Sequence, residues 1–180
     1  MLGDSLSAAH GIPIETGWVT LLGKRLGEGD AALRREVVNA SISGETTSGG
    51  LTRLPDLLQR HKPGVVAIEL GANDGLRGLP LADIRKNVAG LIKLSRDAGA
   101  KVVLVGIELP INYGPQYRDG LRAMYRDLAG EFNVPLVPFL LEGVALEPGL
   151  MQDDGLHPVA AAQPKVLETV WAVLKGVVAQ

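Results

Sequence analysis

"GVVAIELGANDGLRG", residues 64–78, decides the fold of this chain. Its first half is a short apolar run rich in β-branched residues, bounded by Pro63-Gly64 on one side and Gly71 on the other. That pattern reads as a strand buried on both faces. Such a strand needs cover on both sides, which is the situation of parallel sheets. Its second half turns polar and glycine-spaced, as a loop at a strand end does. Three further runs share the character of the first half: "REVVNA" (35–40), "KVVLVGI" (101–107) and "VPLV" (134–137). Helical periods lie between them. Ile84, Val88, Leu91 and Ala98 share one helical face after Pro80. Tyr117, Leu121, Met124 and Leu128 share another, and Val166, Val170, Trp171, Leu174 and Val178 a third. Strand alternating with helix means an α/β domain with a mostly parallel sheet.

The loops that follow the strands collect on one edge of such a sheet, where ligands bind. Three polar, glycine-containing stretches fall there: "GDS" at residues 3–5, "NASISGETTSGG" at 39–50 and "GANDGLRG" at 71–78. The first strand should be central, yet only Met1 and Leu2 precede Gly3. A strand of about five residues is the norm. The expectation is therefore a truncated first strand, with the natural chain starting further upstream.

The bulk properties narrow the function. The 180 residues fit one domain, residues 1–180, and 46% hydrophobic residues supply a core. With a net charge of −2 there is no basic field to hold nucleic acid or an anionic membrane. Cysteine is absent, which removes disulfides, thiolate nucleophiles and Cys-based metal sites. No apolar run reaches the length of a membrane span. No cofactor or metal is expected, no nucleic-acid partner, no stable membrane insertion, and a monomer is the default.

With only three histidines, the candidates for a general base can be taken one by one. His61, in "QRHKP", reads as a helix-end or solvent-facing residue. His10 reads as a solvated loop residue or one at the rim of a substrate cleft. His157 differs: in "MQDDGLHP" it follows Asp154 by three residues and precedes Pro158, a residue favoured at a helix start. A carboxylate at that spacing can turn back onto the imidazole and fix one tautomer, as the acid of a Ser-His-Asp triad does. The same stretch would equally form an Asx turn with a capping histidine. Asp153 is the less suitable orienter, since it lacks that spacing.

Ser5, in "GDSLS", is by itself an ordinary turn serine, and Ser7 stands where the second glycine of a G-x-S-x-G elbow would be. Acyl transfer also needs oxyanion donors. Backbone N–H groups and a neutral amide suit that role. Gly44 and Asn73 offer them, although a turn glycine and an Asx turn account for each residue alone. Asp4 precedes the serine, and Glu69 reads as a paired or strand-end carboxylate. "NAS" at Asn39 matches a glycosylation acceptor, but a three-residue match is weak.

Taken together, Ser5, Gly44, Asn73, Asp154 and His157 stand at successive strand ends in the order of the SGNH hydrolases, also called the GDSL family. The chain resembles that family along essentially its whole length, through "VVNASISGETTSGGLTRLPDLL", "ELGANDGLRG", "NYGPQY", "EFNVPLVPF" and "MQDDGLHP". It departs from the family at the short first strand and at Ala72, where "GAND" replaces the "GGND" common in relatives. The resemblance implies a three-layer α/β/α, flavodoxin-like fold with a mostly parallel five-stranded sheet. It implies a serine esterase and thioesterase acting on short-chain or aryl esters, acyl-CoA or lysophospholipids, with Ser5, Asp154 and His157 catalytic. The oxyanion would be held by Ser5 and Gly44 N–H groups and the Asn73 amide. Relatives imply export to the periplasm, and a mobile loop at 74–81. Asp74, Gly75, Leu76 and Leu79, with Ile107, Leu109 and Pro110, are then candidates for an acyl groove, although ordinary packing would explain each.

Two other classes fit parts of the pattern. A metal-dependent phosphoesterase would use Asp4, Asp74, Asp153 and His157, but leaves Ser5, Gly44 and Asn73 without a role. A non-catalytic acyl- or glycan-binding module on the same fold leaves the complete triad without one.

Overall fold

A computed structural model describes residues 1–28 and 31–179. Four strands are all parallel and lie in the order of the chain: β1 (Leu2–Gly3), β2 (Val65–Glu69), β3 (Lys101–Val105) and β4 (Leu136–Val137). The register sets Leu2 beside Ile68, Val66 beside Val102, and Leu104 beside Leu136. Among the described residues, six α-helices accompany it: α1 (Trp18–Glu28), α2 (Thr47–His61), α3 (Ala72–Leu76), α4 (Leu81–Asp97), α5 (Pro115–Phe132) and α6 (Gln163–Val178).

Alternation along the strands sorts the core into two layers. Val66, Ile68, Val102 and Leu104 point to one face, where Leu54, Ile84, Leu91, Leu121 and Leu128 of α2, α4 and α5 cover them. Ala67, Val103, Val105 and Val137 point to the other, under Trp18 and Leu22 of α1 and Val166, Val170 and Leu174 of α6. The strands are apolar throughout because both faces are buried. Ile68 is only 1% exposed, and its truncation to alanine would cost about 2–5 kcal/mol.

The five-stranded expectation is corrected to four strands among the described residues. The run at 35–40 forms no regular strand. Its continuation, residues 38–42, instead lies alongside β1 in the parallel sense. The Met1 backbone nitrogen donates to Val38 O (2.7 Å), Ala40 N to Met1 O (2.9 Å) and Ile42 N to Gly3 O (3.0 Å). β1 has only two residues, so no longer ladder forms there. The three predicted helices are α4, α5 and α6, with Ala98 capping the first of them rather than lying inside it.

The sheet has two unlike edges. At the N-terminal end of the strands lies an apolar cavity of about 280 Å³, bordered by Trp18, Val65, Ala67, Val170 and Leu174. Neither Ser5 nor His157 touches it. The smaller cleft, about 210 Å³, opens at the C-terminal end among the strand-end loops and contains both. Chemistry requires reactive side chains, so the smaller space is the relevant one.

Candidate active site

The chain leaves β1 at Gly3 and turns sharply. Ser7 N and Ala8 N both donate to Asp4 O (3.2 and 2.9 Å), and Leu6 N donates to Asp4 Oδ1 (3.0 Å). The turn lifts Ser5 to the mouth of the cleft. On the far side of that mouth, the segment before α6 is closed on itself by Asp154. Its Oδ1 accepts from Leu156 N (2.8 Å) and His157 N (3.0 Å), an Asx turn of the kind expected from the sequence. Its Oδ2 contacts His157 Nδ1 at 2.6 Å. The Asx turn and the acid–imidazole contact are therefore one structure rather than alternatives. The other ring nitrogen, Nε2, lies 2.8 Å from Ser5 Oγ.

Serine, imidazole and carboxylate thus form one hydrogen-bonded line. Desolvation nudges the Asp154 carboxyl upward. The His157 ring and the two backbone N–H groups outweigh it and hold the group at about 2, below its ordinary 3.8. Asp154 is therefore ionised at neutral pH and fixes the Nδ1–H tautomer, leaving Nε2 to accept the serine proton. Asp153 makes no contact of this kind.

Gly44 has φ +81, a backbone conformation that glycine adopts without strain. Among the described residues, neither its N–H nor that of Ser5 donates to a protein acceptor. The loop that carries Gly44 is tied down from three directions. Arg53 pairs with Glu45 (2.6 Å) and donates to Ala40 O (3.0 Å), and Arg77 donates to Gly44 O (3.2 Å). Asn73, in the first turn of α3, donates its amide to Asp4 Oδ2 (3.1 Å) and Glu45 O (3.0 Å). It must release one of these to reach an oxyanion. Ala72 has an ordinary negative φ, so the second glycine common in relatives is not needed here.

The remaining groove candidates divide. Leu76, Ile107, Leu109 and Pro110 line the cleft, joined by Leu6, Phe139 and Leu156. Asp74, Gly75 and Leu79 do not. Asp74 is 1% exposed, and its two oxygens accept from Thr47 N (2.9 Å) and Thr47 Oγ1 (2.5 Å). A carboxylate buried at a helix start stabilises that start, and here it ties α2 to α3. Gly75 packs against Leu109, and Leu79 lies outside at the surface. In this conformation these three lie outside the lining of the cleft.

Asp4 and Asp74 are thus committed to N–H and O–H donors. Among the described residues no three His, Asp or Glu side chains gather as a metal-binding group. His61 ends α2 at the surface, as expected. Asn39 donates its amide to Ser7 O (2.8 Å) and so braces the nucleophile turn.

Two features escape the sequence. His10 packs against His157, with ring centroids 4.5 Å apart and the ring planes tilted by 42°. Its position shortly after the serine is the only available signal. The network of Thr47, Asp74 and Asn87 beneath the oxyanion loop has none, because its members are far apart in the chain.

The profile of the GDSL-like Lipase/Acylhydrolase family matches residues 1–163. The esterase TesA of Pseudomonas aeruginosa is 52% identical over 175 residues, covering 97% of this chain and 86% of that protein. Thioesterase 1/protease 1/lysophospholipase L1 of Escherichia coli K12 is 44% identical over 168 residues, covering 93% and 78%. A crystal structure of TesA superposes with a TM-score of 0.92 at 51% identity, over 98% of this chain and 97% of that one.

Proposed function

The chain belongs to the GDSL-like lipase/acylhydrolase family and is a serine hydrolase of esters and thioesters, and from that premise we propose that Ser5, His157 and Asp154 carry its turnover. His157 Nε2 takes the Ser5 proton as Oγ attacks the acyl carbonyl. The developing oxyanion is held by the Ser5 and Gly44 N–H groups and by Asn73, once its amide turns away from Glu45 O. His157 then protonates the leaving alcohol or thiol. Water repeats the cycle on the acyl-enzyme. The observation that carries this reading is the unbroken line from Ser5 Oγ through His157 to Asp154, at 2.8 and 2.6 Å.

The favoured substrates are esters with a short acyl or aryl group. The cleft has apolar walls and about 210 Å³ of room, below the roughly 300–1,000 Å³ usual for drug-sized ligands. A long acyl chain would have to widen it, and the glycines Gly75 and Gly78 bracket the segment placed to do so. The reading includes one domain spanning residues 1–180, a monomer, and, by family resemblance, export to the periplasm, which cell fractionation would test.

The experiment is a series of p-nitrophenyl esters of increasing acyl length, run beside matched acyl-CoA thioesters and fluorophosphonate labelling. Labelling and turnover that both vanish in Ser5→Ala support the serine assignment. Activity surviving in Ser5→Ala would overturn it. An optimum at long chains would overturn the short-acyl preference alone.

A further inference from the structure

Behind the nucleophile turn sit two acids that acyl transfer does not use. Asp4 and Glu69 are each 0% exposed. Glu69 Oε2 accepts from Ser7 Oγ (2.7 Å) and from Asp4 N (3.3 Å). Gly3 is pressed onto the same carboxyl: a Cβ there would stand 2.7 Å from Glu69 Oε2 and 2.9 Å from Ser7 Cβ. Only glycine allows the turn to lie this low.

The Asp4 carboxyl is satisfied on both oxygens by N–H donors, Leu6 N on Oδ1 (3.0 Å) and Asn73 Nδ2 on Oδ2 (3.1 Å). The Asp4 backbone nitrogen is bound to Glu69 Oε2 (3.3 Å), so the two buried acids are neighbours and the Asp4 charge bears on Glu69. Three of their four oxygens therefore have donors. The fourth, Glu69 Oε1, is buried with no partner. Among the described residues, no Lys or Arg pairs with either acid. Two neighbouring buried carboxylates without a cation would repel strongly, and an unpaired buried oxygen adds to the cost. One proton removes both problems.

We propose that Asp4 and Glu69 hold a single proton between them, carried on Glu69 Oε1 and donated to the Asp4 carboxylate, and that this acid pair positions Ser5 and Asn73. The assignment of the proton follows from the donors. Both Asp4 oxygens accept N–H groups, which suits the carboxylate. Glu69 Oε2 accepts two donors, which suits the carbonyl oxygen of an acid, and leaves Oε1 as the hydroxyl. Asp4 is the residue before Ser5 and holds the Asn73 amide. Its orientation therefore sets the nucleophile and one oxyanion donor together. Burial, and then the neighbouring Asp4 charge, push Glu69 well above its ordinary value, which agrees with a retained proton.

Other titratable groups face the pair. His157 bears on Asp4. Tyr125, donating its hydroxyl to Leu70 O, faces both acids and also Asp74. Burial holds Tyr125 well above 10, so it keeps its proton in the working range. Asp74 is fixed by Thr47. Loss of the shared proton governs the alkaline limb of activity.

The proposal rests on the roles of Ser5 and Asn73, and the test keeps the two questions apart. Steady-state pH profiles on a short p-nitrophenyl ester are compared for the wild type, Glu69→Gln and Asp4→Asn, with Ser5→Ala as the control. In Glu69→Gln the new amide keeps a donor toward Asp4 and an acceptor for Ser7. We expect kcat within about threefold of wild type and no alkaline fall. In Asp4→Asn the new amide presents an N–H where an acceptor is needed. We expect kcat lower by about tenfold or more with KM nearly unchanged, the signature of a misplaced oxyanion donor.

Infrared spectra provide a reading independent of activity. The carbonyl band of a protonated carboxylic acid is expected near neutral pH in wild type and in Ser5→Ala, and is expected to vanish in Glu69→Gln. Glu69→Gln losing as much kcat as Asp4→Asn, an alkaline limb unchanged in Glu69→Gln, or no acid band at neutral pH would each overturn the proposal. If Glu69→Gln fails to fold, the infrared pH titration of Ser5→Ala decides the matter alone. Turnover surviving in Ser5→Ala would instead sink the assignment of the active site.

Discussion

The cleft is flanked by two acidic regions built in opposite ways. The 153–157 loop holds Asp154 at the surface, with 41% of its side chain exposed. The turn at residues 3–7 lies over Asp4 and Glu69, which see no solvent. On the loop, N–H groups and an imidazole gather around one carboxylate and keep it charged. Under the turn, burial dominates and the pair retains a proton. A carboxyl side chain thus supplies a fixed negative charge in one place and a neutral acid in the other. Environment, not identity, sets the role.

The largest effect should come from removing the group that bridges the two regions. His157→Ala should lower kcat by about four to six decades, as loss of a triad base does elsewhere. A loss of under tenfold would mean that the line from Ser5 to Asp154 is not the reaction path. Asp154→Asn probes the exposed side. It should cost about three decades, less than the roughly four seen for a buried triad acid, because solvent reaches this loop. A loss equal to that of His157→Ala would show that exposure does not soften the role.

Asn73→Ala cuts the contact between Asp4 and the oxyanion site. It should lose about two to three decades in kcat with little change in KM. Unchanged kcat would remove Asn73 from the site and loosen the tie between the buried pair and the chemistry.

Stability against pH separates the regions by sign. Burial raises Asp4 from 3.8 to about 6. Its contribution is therefore fully present below 3.8 and is lost as pH climbs through about 6. Glu69, also raised, extends that loss to higher pH. Asp154 is lowered from 3.8 to about 2, so its contribution is present above 3.8 and fades as pH falls through about 2. Melting temperatures should flatten on the alkaline side in Glu69→Gln and on the acid side in Asp154→Asn. The same slope in both variants would abolish the contrast. The smallest effect is expected at His10. His10→Phe keeps an aromatic ring against His157 and should leave kcat/KM within about threefold. A larger drop would give His10 a part in the proton path.

Legibility in the sequence follows the range of the interactions. The runs 65–69 and 101–105 are readable as strands because burial on both faces leaves a continuous apolar signature. The run at 35–40 carries the same signature, yet residues 38–42 meet only the short stretch Met1–Gly3, too little partner for a regular strand. The contact between Asp154 and His157 is readable because three residues of turn suffice to make it. The pairing of Asp74 with Thr47, which donates to both of its oxygens from 27 positions away, is not readable from local spacing.

By itself, the sequence determined the alternation of strand and helix, the residues at the strand ends, and the local turn that presents His157. Tertiary structure alone decided which of those residues meet. Ser5 and His157 are 152 positions apart, and Asp4 and Glu69 are 65 apart. Local spacing records hydrogen bonds made within one turn of chain. Burial depth, and the protonation state that depends on it, arise only when the two layers close over the sheet and exclude water from one acid pair while leaving the other acid wet.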